Sequence, residues 1–145
     1  MVSTIQILLD HLKLLSRHLD FYNIKGAIWV VLMELKIPTN CFGYELLQRA
    51  IYLHYQNPLR AFSKDIYKEI AEDCGVSSEY AVEQAIREAI KLGWRNGSKK
   101  AWDWYFSYDG RSLSRKPSNS LFISQVSSAL KLWQEQKPSR GDCDV

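Results

Sequence analysis

The stretch IAEDCGVSSEYAVEQAIREAIKL, residues 70–92, decides the fold of this protein. Apolar residues recur at helical spacing on both sides of Gly75, a residue type that readily adopts the left-handed conformation at a helix end. The small side chain of Ala71 permits close approach of two helices, and Ser77 or Ser78 is a suitable N-cap for the second one. This pattern is typical of a helix-turn-helix, whose second helix enters the DNA major groove. We predict that this second helix spans about residues 78–92.

The polar side of the predicted second helix has a composition suited to reading bases. With the apolar residues facing inward, the opposite side presents Glu79, Glu83, Gln84, Arg87 and Lys91. Arginine can bind the guanine edge, glutamine the adenine edge and glutamate the cytosine amino group. An ordinary solvent-exposed helix shows similar residues, so this pattern alone leaves both interpretations open.

The rest of the chain also indicates helices. Only seven Gly and four Pro occur in 145 residues, mostly between apolar periodic runs. We expect an all-α fold of six to seven helices, including an extra amphipathic helix at the N-terminus. The predicted helices are about 3–20, 27–35, 43–55, 63–74, 78–92, the aromatic stretch 99–108, and one that begins at Ser118 or Asn119. The β-branched residues within 27–35 leave a strand possible there.

The domain organisation follows from the positions of these helices and of the Gly and Pro residues between them. We predict an N-terminal amphipathic helix over residues 1–23, a helix-turn-helix domain over 24–137 and a disordered tail over 138–145. Apolar residues are 46% and charged residues 24% of the chain, which is ordinary for one globular domain. No apolar run approaches the roughly 20 residues that span a bilayer, and no signal peptide is recognisable. Three scattered cysteines fit a reducing cytoplasm, so we expect a cytoplasmic protein.

Positive charge is concentrated beside the predicted second helix. Residues 87–116 hold eight Lys or Arg against three Asp or Glu, a net charge of +5, whereas the whole chain carries +3. Binding to nucleic acid phosphates uses such a cluster. We predict that the phosphates are held by Lys91, Arg95, Lys99, Lys100, Arg115 and Lys116. Ser77 and Ser78, at the helix N-terminus, are further candidates for phosphate contacts.

Catalytic and metal-binding patterns are missing from the sequence. It contains no glycine-rich phosphate loop, no nucleophile elbow and no His-Glu-x-x-His motif. His11 and His18 lack the further ligands of a tetrahedral site. We therefore expect a protein that is not an enzyme, with no cofactor, no metal and no small-molecule substrate. The aromatic residues between 94 and 108 could stack on single-stranded bases, but their helical spacing favours core packing.

About two thirds of the chain, from Ile37 to Gln136, resembles a known family. The motifs are Ile37-Pro38, Gly43-Tyr44-x-x-Leu47, Arg49-Ala50-Ile51, Ile70-Ala71, Val82-Glu83-x-Ala85-Ile86-Arg87-x-Ala89-Ile90, Trp94, Phe106-x-Tyr108 and Lys116-Pro117-Ser118-Asn119-Ser120-x-Phe122-Ile123. They resemble the C-terminal DNA-binding effector domain of the stage-zero sporulation master regulator of endospore-forming Firmicutes. The resemblance implies a six-helix all-α fold and sequence-specific promoter binding.

The chain also departs from that family. The 36 residues before Ile37 are too few for the receiver domain that precedes the family's effector domain, so we expect regulation without intramolecular phosphorylation. In the second helix, Ala81 and Gln84 stand where the resemblance implies arginines, and Glu88 stands where it implies histidine. These changes weaken phosphate attraction or alter base preference.

Two functions from different classes follow. The first is sequence-specific binding of double-stranded DNA by a stand-alone transcription factor that uses residues 78–92 in the major groove. The alternative is an interaction module that has lost DNA reading and pairs with a full-length regulator. The N-terminal run Ile5, Leu8, Leu12, Leu15, Leu19 and Tyr22 has heptad spacing, so a homodimer through residues 5–22 is possible, as is docking of this helix on the domain's own core.

Overall fold

The computed structural model describes residues 6, 8, 10, 11, 24–107 and 111–136, except for the side chains of Ser63 and Gln136. In this part of the chain the fold is all-α, with six α-helices between residues 24 and 136 and no β-strand. The helices are α1 (Ile24–Glu34), α2 (Phe42–Gln56), α3 (Lys68–Cys74), α4 (Glu79–Asn96), α5 (Lys99–Phe106) and α6 (Asn119–Gln136). A π-helical segment, Phe62–Tyr67, leads directly into α3. The predicted tail, residues 138–145, lies outside the described residues.

Helix α2 is the centre of the fold and packs most extensively against α4 and α6. Its inner side buries Leu46, Leu47, Ala50 and Ile51. Gly43 permits the closest approach, because a Cβ atom there would lie 2.0 Å from the carbonyl oxygen of Ala85 in α4. The pair α2 and α4 is therefore held at a distance that only glycine at position 43 allows.

Helix α1 settles the question of whether residues 27–35 form a strand. The segment is helical, and Ala27, Ile28, Val30, Val31 and Leu32 are all buried. A helix that is apolar on nearly all sides is expected to lie inside the core. Here α1 packs against α2 and α6, so burial overrides the low helix propensity of its β-branched residues.

The connection between α3 and α4 has the local chemistry that the sequence predicts. Gly75 ends α3 in the left-handed conformation with φ +68°. Its N–H and that of Val76 both donate to the carbonyl oxygen of Ala71, so the 5→1 bond of an αL motif and the 6→1 bond of a Schellman motif end this helix together. Ser78 then begins α4, because its Oγ accepts a hydrogen bond of 3.1 Å from the N–H of Ala81.

Two predicted helix boundaries were wrong. We predict a helix from about residue 63 to residue 74, but the helical segment begins at Phe62 with Ala61 as its N-cap, and Asp65 Oδ2 accepts a hydrogen bond from the N–H of Ala61. We also placed the end of the next helix at Gly93, whereas α4 continues to Asn96. Gly93 lies inside the helix and packs against the loop after α1, where a Cβ atom would meet the side chain of Ile37.

The aromatic residues after α4 form core packing, as their helical spacing indicates. Trp102, Tyr105 and Phe106 are buried, and Phe106 stacks on Phe122 of α6 with ring centroids 5.2 Å apart. The indole N–H of Trp102 donates to the carbonyl oxygen of Gly93, 3.2 Å away. This hydrogen bond joins α5 to the last turns of α4.

Four residues of the predicted N-terminal helix, 6, 8, 10 and 11, are described, and all four are helical. Leu8 is only 5% exposed and belongs to the core. His11 Nε2 lies 2.7 Å from Glu34 Oε2, and the His11 ring stacks on Trp104. The same Glu34 accepts a hydrogen bond from the hydroxyl of the buried Tyr105. Leu8 and His11 thus dock this segment on the domain, whereas Gln6 and Asp10 are exposed.

Candidate nucleic-acid interface

Helix α4 is amphipathic, and its buried side determines which residues face outward. Its buried residues are Val82, Ile86, Ala89, Ile90 and Gly93. Because residues three or four apart lie on the same helix face, the outward side carries Tyr80, Gln84, Arg87, Lys91 and Arg95. All of these except Gln84, which is partly buried, are exposed. Over residues 80–91 this face is about 16 Å long at 1.5 Å per residue.

Arg87 is oriented by a neighbour on its own helix. Its Nη2 donates to Glu83 Oε1, one turn earlier, at 3.0 Å. The Arg87 side chain remains 50% exposed, so the pair contributes little to stability, about 1 kcal/mol or less. Its main consequence is geometric, since the guanidinium is held along the outward face in a position to meet a base or a phosphate.

Three basic residues from two parts of the chain come together at this face. Lys116, which precedes α6, is partly buried close to Arg87 and Lys91. Burial lowers the pKa of Lys116, the positive charges of Arg87 and Lys91 lower it further, and Glu88 acts in the opposite direction. We call Arg87, Lys91 and Lys116 the cationic cluster. Mutual repulsion in such a cluster is relieved when an anion binds.

The motif Lys116–Asn119 is positioned by a hydrogen bond to α4. Asn119 Nδ2 donates to the carbonyl oxygen of Glu83 at 2.9 Å. Asn119 is buried and also contacts the phenol of Tyr67, whose pKa is raised by burial while the Asn119 contact lowers it. Ser118 caps α6 through a hydrogen bond from the N–H of Leu121. The start of α6, which follows Lys116 closely in the chain, is thereby attached to the second turn of α4.

The remaining predicted site residues are more widely spread. Ser77 is exposed in the turn, and the Oγ of Ser78 is already an acceptor in the N-cap. Arg95 is exposed on the last turn of α4, whereas Lys99 and Lys100 lie on the first turn of α5. Arg115 is exposed beside Lys116. The structure therefore brings Glu83, Gln84, Arg87, Lys91 and Lys116 to one face and distributes the others around its two ends.

Sequence reasoning missed two residues of this region. Tyr80 is exposed on the outward face of α4, and the sequence signal was available, because Gln84 and Arg87 follow it by four and seven residues. Asn119 was recognised only as part of a motif. Its role depends on a contact with Glu83, 36 residues away, which no local pattern indicates.

Other kinds of site are not indicated in the described residues. No group of three His, Cys, Asp or Glu side chains there could hold a metal ion. None of the helices described here has the length and apolar character needed to cross a bilayer. A cavity of about 360 Å³ lies between α1, α2 and α3, and its lining includes the ion pair Arg49–Glu45 but no residue of α4.

The chain matches the model of a known protein family. The family model described as "Sporulation initiation factor Spo0A C terminal" matches residues 28–130. The matched region runs from α1 into α6. It therefore includes the α3–α4 pair, the cationic cluster and Asn119, and it covers more than two thirds of the chain.

Proposed function

Since the chain belongs to the Spo0A C-terminal family, a family of DNA-binding effector domains of a sporulation regulator rather than of enzymes, we propose that its 145 residues by themselves bind duplex DNA sequence-specifically and regulate transcription. In this proposal α3 and α4 are the two helices of a helix-turn-helix, and α4 enters the major groove. Such a role places the protein in the cytoplasm, with the nucleoid.

The observation that carries the proposal is the cationic cluster beside the outward face of α4. Arg87 and Lys91 are exposed on that face, and Lys116 joins them although its pKa is lowered by burial and by their charges. Keeping a partly buried lysine next to two other cations is unfavourable in the free protein. A phosphate group bound between them compensates for that cost, because charge-assisted hydrogen bonds to phosphate are strong.

Base reading is assigned to the first half of α4, since N-terminal residues of a recognition helix contact base edges. Arg87, held by Glu83, presents donors that match guanine O6 and N7. Gln84 presents an amide that matches adenine N6 and N7. Further contacts to the DNA phosphate backbone fix the position of the protein along the duplex. They come from the residues around this face, which are Ser77, Arg95, Lys99, Lys100 and Arg115.

The test is a titration of duplex DNA with the purified chain at several salt concentrations. If about four phosphates are neutralised, log K falls with log salt at a slope of roughly −3.6. Lys116→Gln should make the slope less steep by about 0.9, since one phosphate contact is lost. Lys131→Gln is the matched control. It removes the same charge from α6 about 18 Å along the helix from Asn119, where Lys131 lies over the ring of Tyr55.

A second candidate function is an interaction module that pairs with a full-length regulator and does not bind DNA. Ala81 and Gln84 provide no positive charge at the beginning of α4, and the exposed Glu88 adds a negative one near Lys116. Absence of binding to any duplex near 50 mM salt supports this second function and overturns the first. Equal slopes for Lys116→Gln and Lys131→Gln also contradict the assigned interface.

A further inference from the structure

Tyr80 is a large aromatic residue that the domain does not bury. It is the second residue of α4, and 68% of its surface is exposed. Val82 and Ile86, on the other side of the same helix, are completely buried. The exposed ring therefore contributes little to the core, although aromatic side chains supply much of the burial energy wherever they are enclosed.

The position of Tyr80 on the helix places its ring on the same face as the two predicted base-reading residues and N-terminal to both of them. Gln84 follows Tyr80 by one turn and Arg87 follows it by two turns, so all three share the outward face. Along the helix axis Tyr80 precedes Gln84 by about 6 Å, which is close to two base-pair steps of 3.4 Å. The ring stands at the N-terminal end of α4, the end from which recognition helices contact base edges.

The chemistry of this ring is suited to one feature of the major groove. The 5-methyl group of thymine is apolar, and proteins recognise it by apolar contact. A tyrosine ring is rigid, with few rotatable bonds, and loses little conformational entropy when it is covered. We propose that Tyr80 contacts a thymine methyl group within about two base pairs of the base read by Gln84, and so determines specificity at that position. This inference rests on the proposed function.

The experiment uses the duplex that the full chain selects from a random pool. Each thymine in turn is replaced by uracil, which lacks only the methyl group, and affinities are measured for the unaltered chain, Tyr80→Ala and Tyr80→Phe. At one position, replacement of thymine by uracil should lower the affinity of the unaltered chain about fourfold, which corresponds to the loss of one buried methyl group. Tyr80→Phe should show the same loss, whereas Tyr80→Ala should bind the thymine and uracil duplexes equally.

The control is Trp29→Ala, which removes a partly exposed aromatic ring from α1, a helix that packs against α2 and α6. It should leave the uracil effect unchanged. If no uracil position weakens the unaltered chain, or if Tyr80→Ala retains the same uracil effect, the methyl contact is refuted while DNA binding stands. If Tyr80→Phe weakens binding to every duplex equally, the hydroxyl contacts a phosphate instead. Failure of the unaltered chain to bind any duplex overturns the proposed function itself.

Discussion

Asn119, at the first position of α6, donates a hydrogen bond of 2.9 Å to the backbone carbonyl oxygen of Glu83, in the second turn of α4. The two residues are 36 positions apart, and their contact joins the segment that follows Lys116 to the helix that carries Arg87 and Lys91. A single buried amide thus connects the stability of the fold to the geometry of the candidate DNA-binding face.

Asn119→Ala should reduce the free energy of unfolding by about 1 kcal/mol, the net value of one hydrogen bond. Asn119→Asp should cost more, at least about 2 kcal/mol, because a buried carboxylate cannot donate to the Glu83 carbonyl and loses its hydration. Urea unfolding measures both values, with the exposed Ser120→Ala as control. An Asp variant as stable as the Ala variant contradicts the assigned hydrogen bond.

Gly43→Ala should destabilise the protein by about 1–3 kcal/mol, as overpacked cores do. On an exposed helix the same change stabilises a protein by up to about 1 kcal/mol. The change in stability expected here is therefore opposite in sign to the one that helix propensity alone predicts. The reason is the 2.0 Å separation between the added Cβ and the Ala85 carbonyl oxygen. Thermal and urea unfolding provide the measurement, and a variant as stable as the unaltered chain shows that α2 and α4 can separate freely.

His54 makes stability depend on pH. Burial lowers the pKa of His54 below its usual 6.5, and the charge of Lys131 lowers it further. Between that lowered value and about pH 6.5 the unfolded chain binds more protons than the native one. The stabilisation by neutral His54, whose Nδ1 lies 2.7 Å from Ser127 Oγ, is therefore complete above pH 6.5 and is lost as the pH falls through the native pKa.

The measurement is the urea midpoint at pH 7.5 and pH 5.0 for the unaltered chain and for His54→Gln, which retains a polar group but does not titrate. The midpoint of the unaltered chain should fall more between these pH values than that of the variant. Other titrating groups act equally in both proteins and cancel in the difference. Identical pH dependence shows that burial of His54 does not affect its protonation.

Gln84→Arg should change base preference at one position, from adenine to guanine, because a guanidinium matches guanine O6 and N7. Arg87→Ala should relax the sequence preference at a different base pair and cost about 1–3 kcal/mol of binding energy. A base-by-base substitution series with the three proteins separates these effects. An equal gain for all sequences with Gln84→Arg indicates that residue 84 contacts only phosphate or solvent.

Leu8→Ala should reduce stability by about 2–5 kcal/mol, since Leu8 is 5% exposed and belongs to the core. This result distinguishes docking of the N-terminal helix from pairing of two chains, because Leu8 is one of the heptad positions predicted to form a dimer. Urea unfolding at two protein concentrations is the measurement. A small loss of stability, together with a concentration-dependent midpoint, favours the homodimer through residues 5–22, most of which lies outside the described residues.

Local sequence chemistry determined most of the helices and their ends. Gly75 and Ser78 form the turn between α3 and α4 by backbone and hydroxyl groups within a few residues, so the pattern of residues 70–92 was sufficient to predict it. The buried side of α4 followed equally from spacing, since Val82, Ile86 and Ile90 recur every four residues. Periodicity and capping are local properties and can be read from one sequence.

Contacts between distant segments were decided only by the tertiary structure. Helix α4 continues through Gly93 because this residue packs against the loop at Ile37, which outweighs its low helix propensity. Lys116 interacts electrostatically with Arg87 and Lys91, and Asn119, three residues after it, donates a hydrogen bond from α6 to the carbonyl oxygen of Glu83 in α4. Helix propensity and periodicity act over a few residues, whereas packing and hydrogen bonds join residues by their position in space, so the shape of the cationic cluster required the fold.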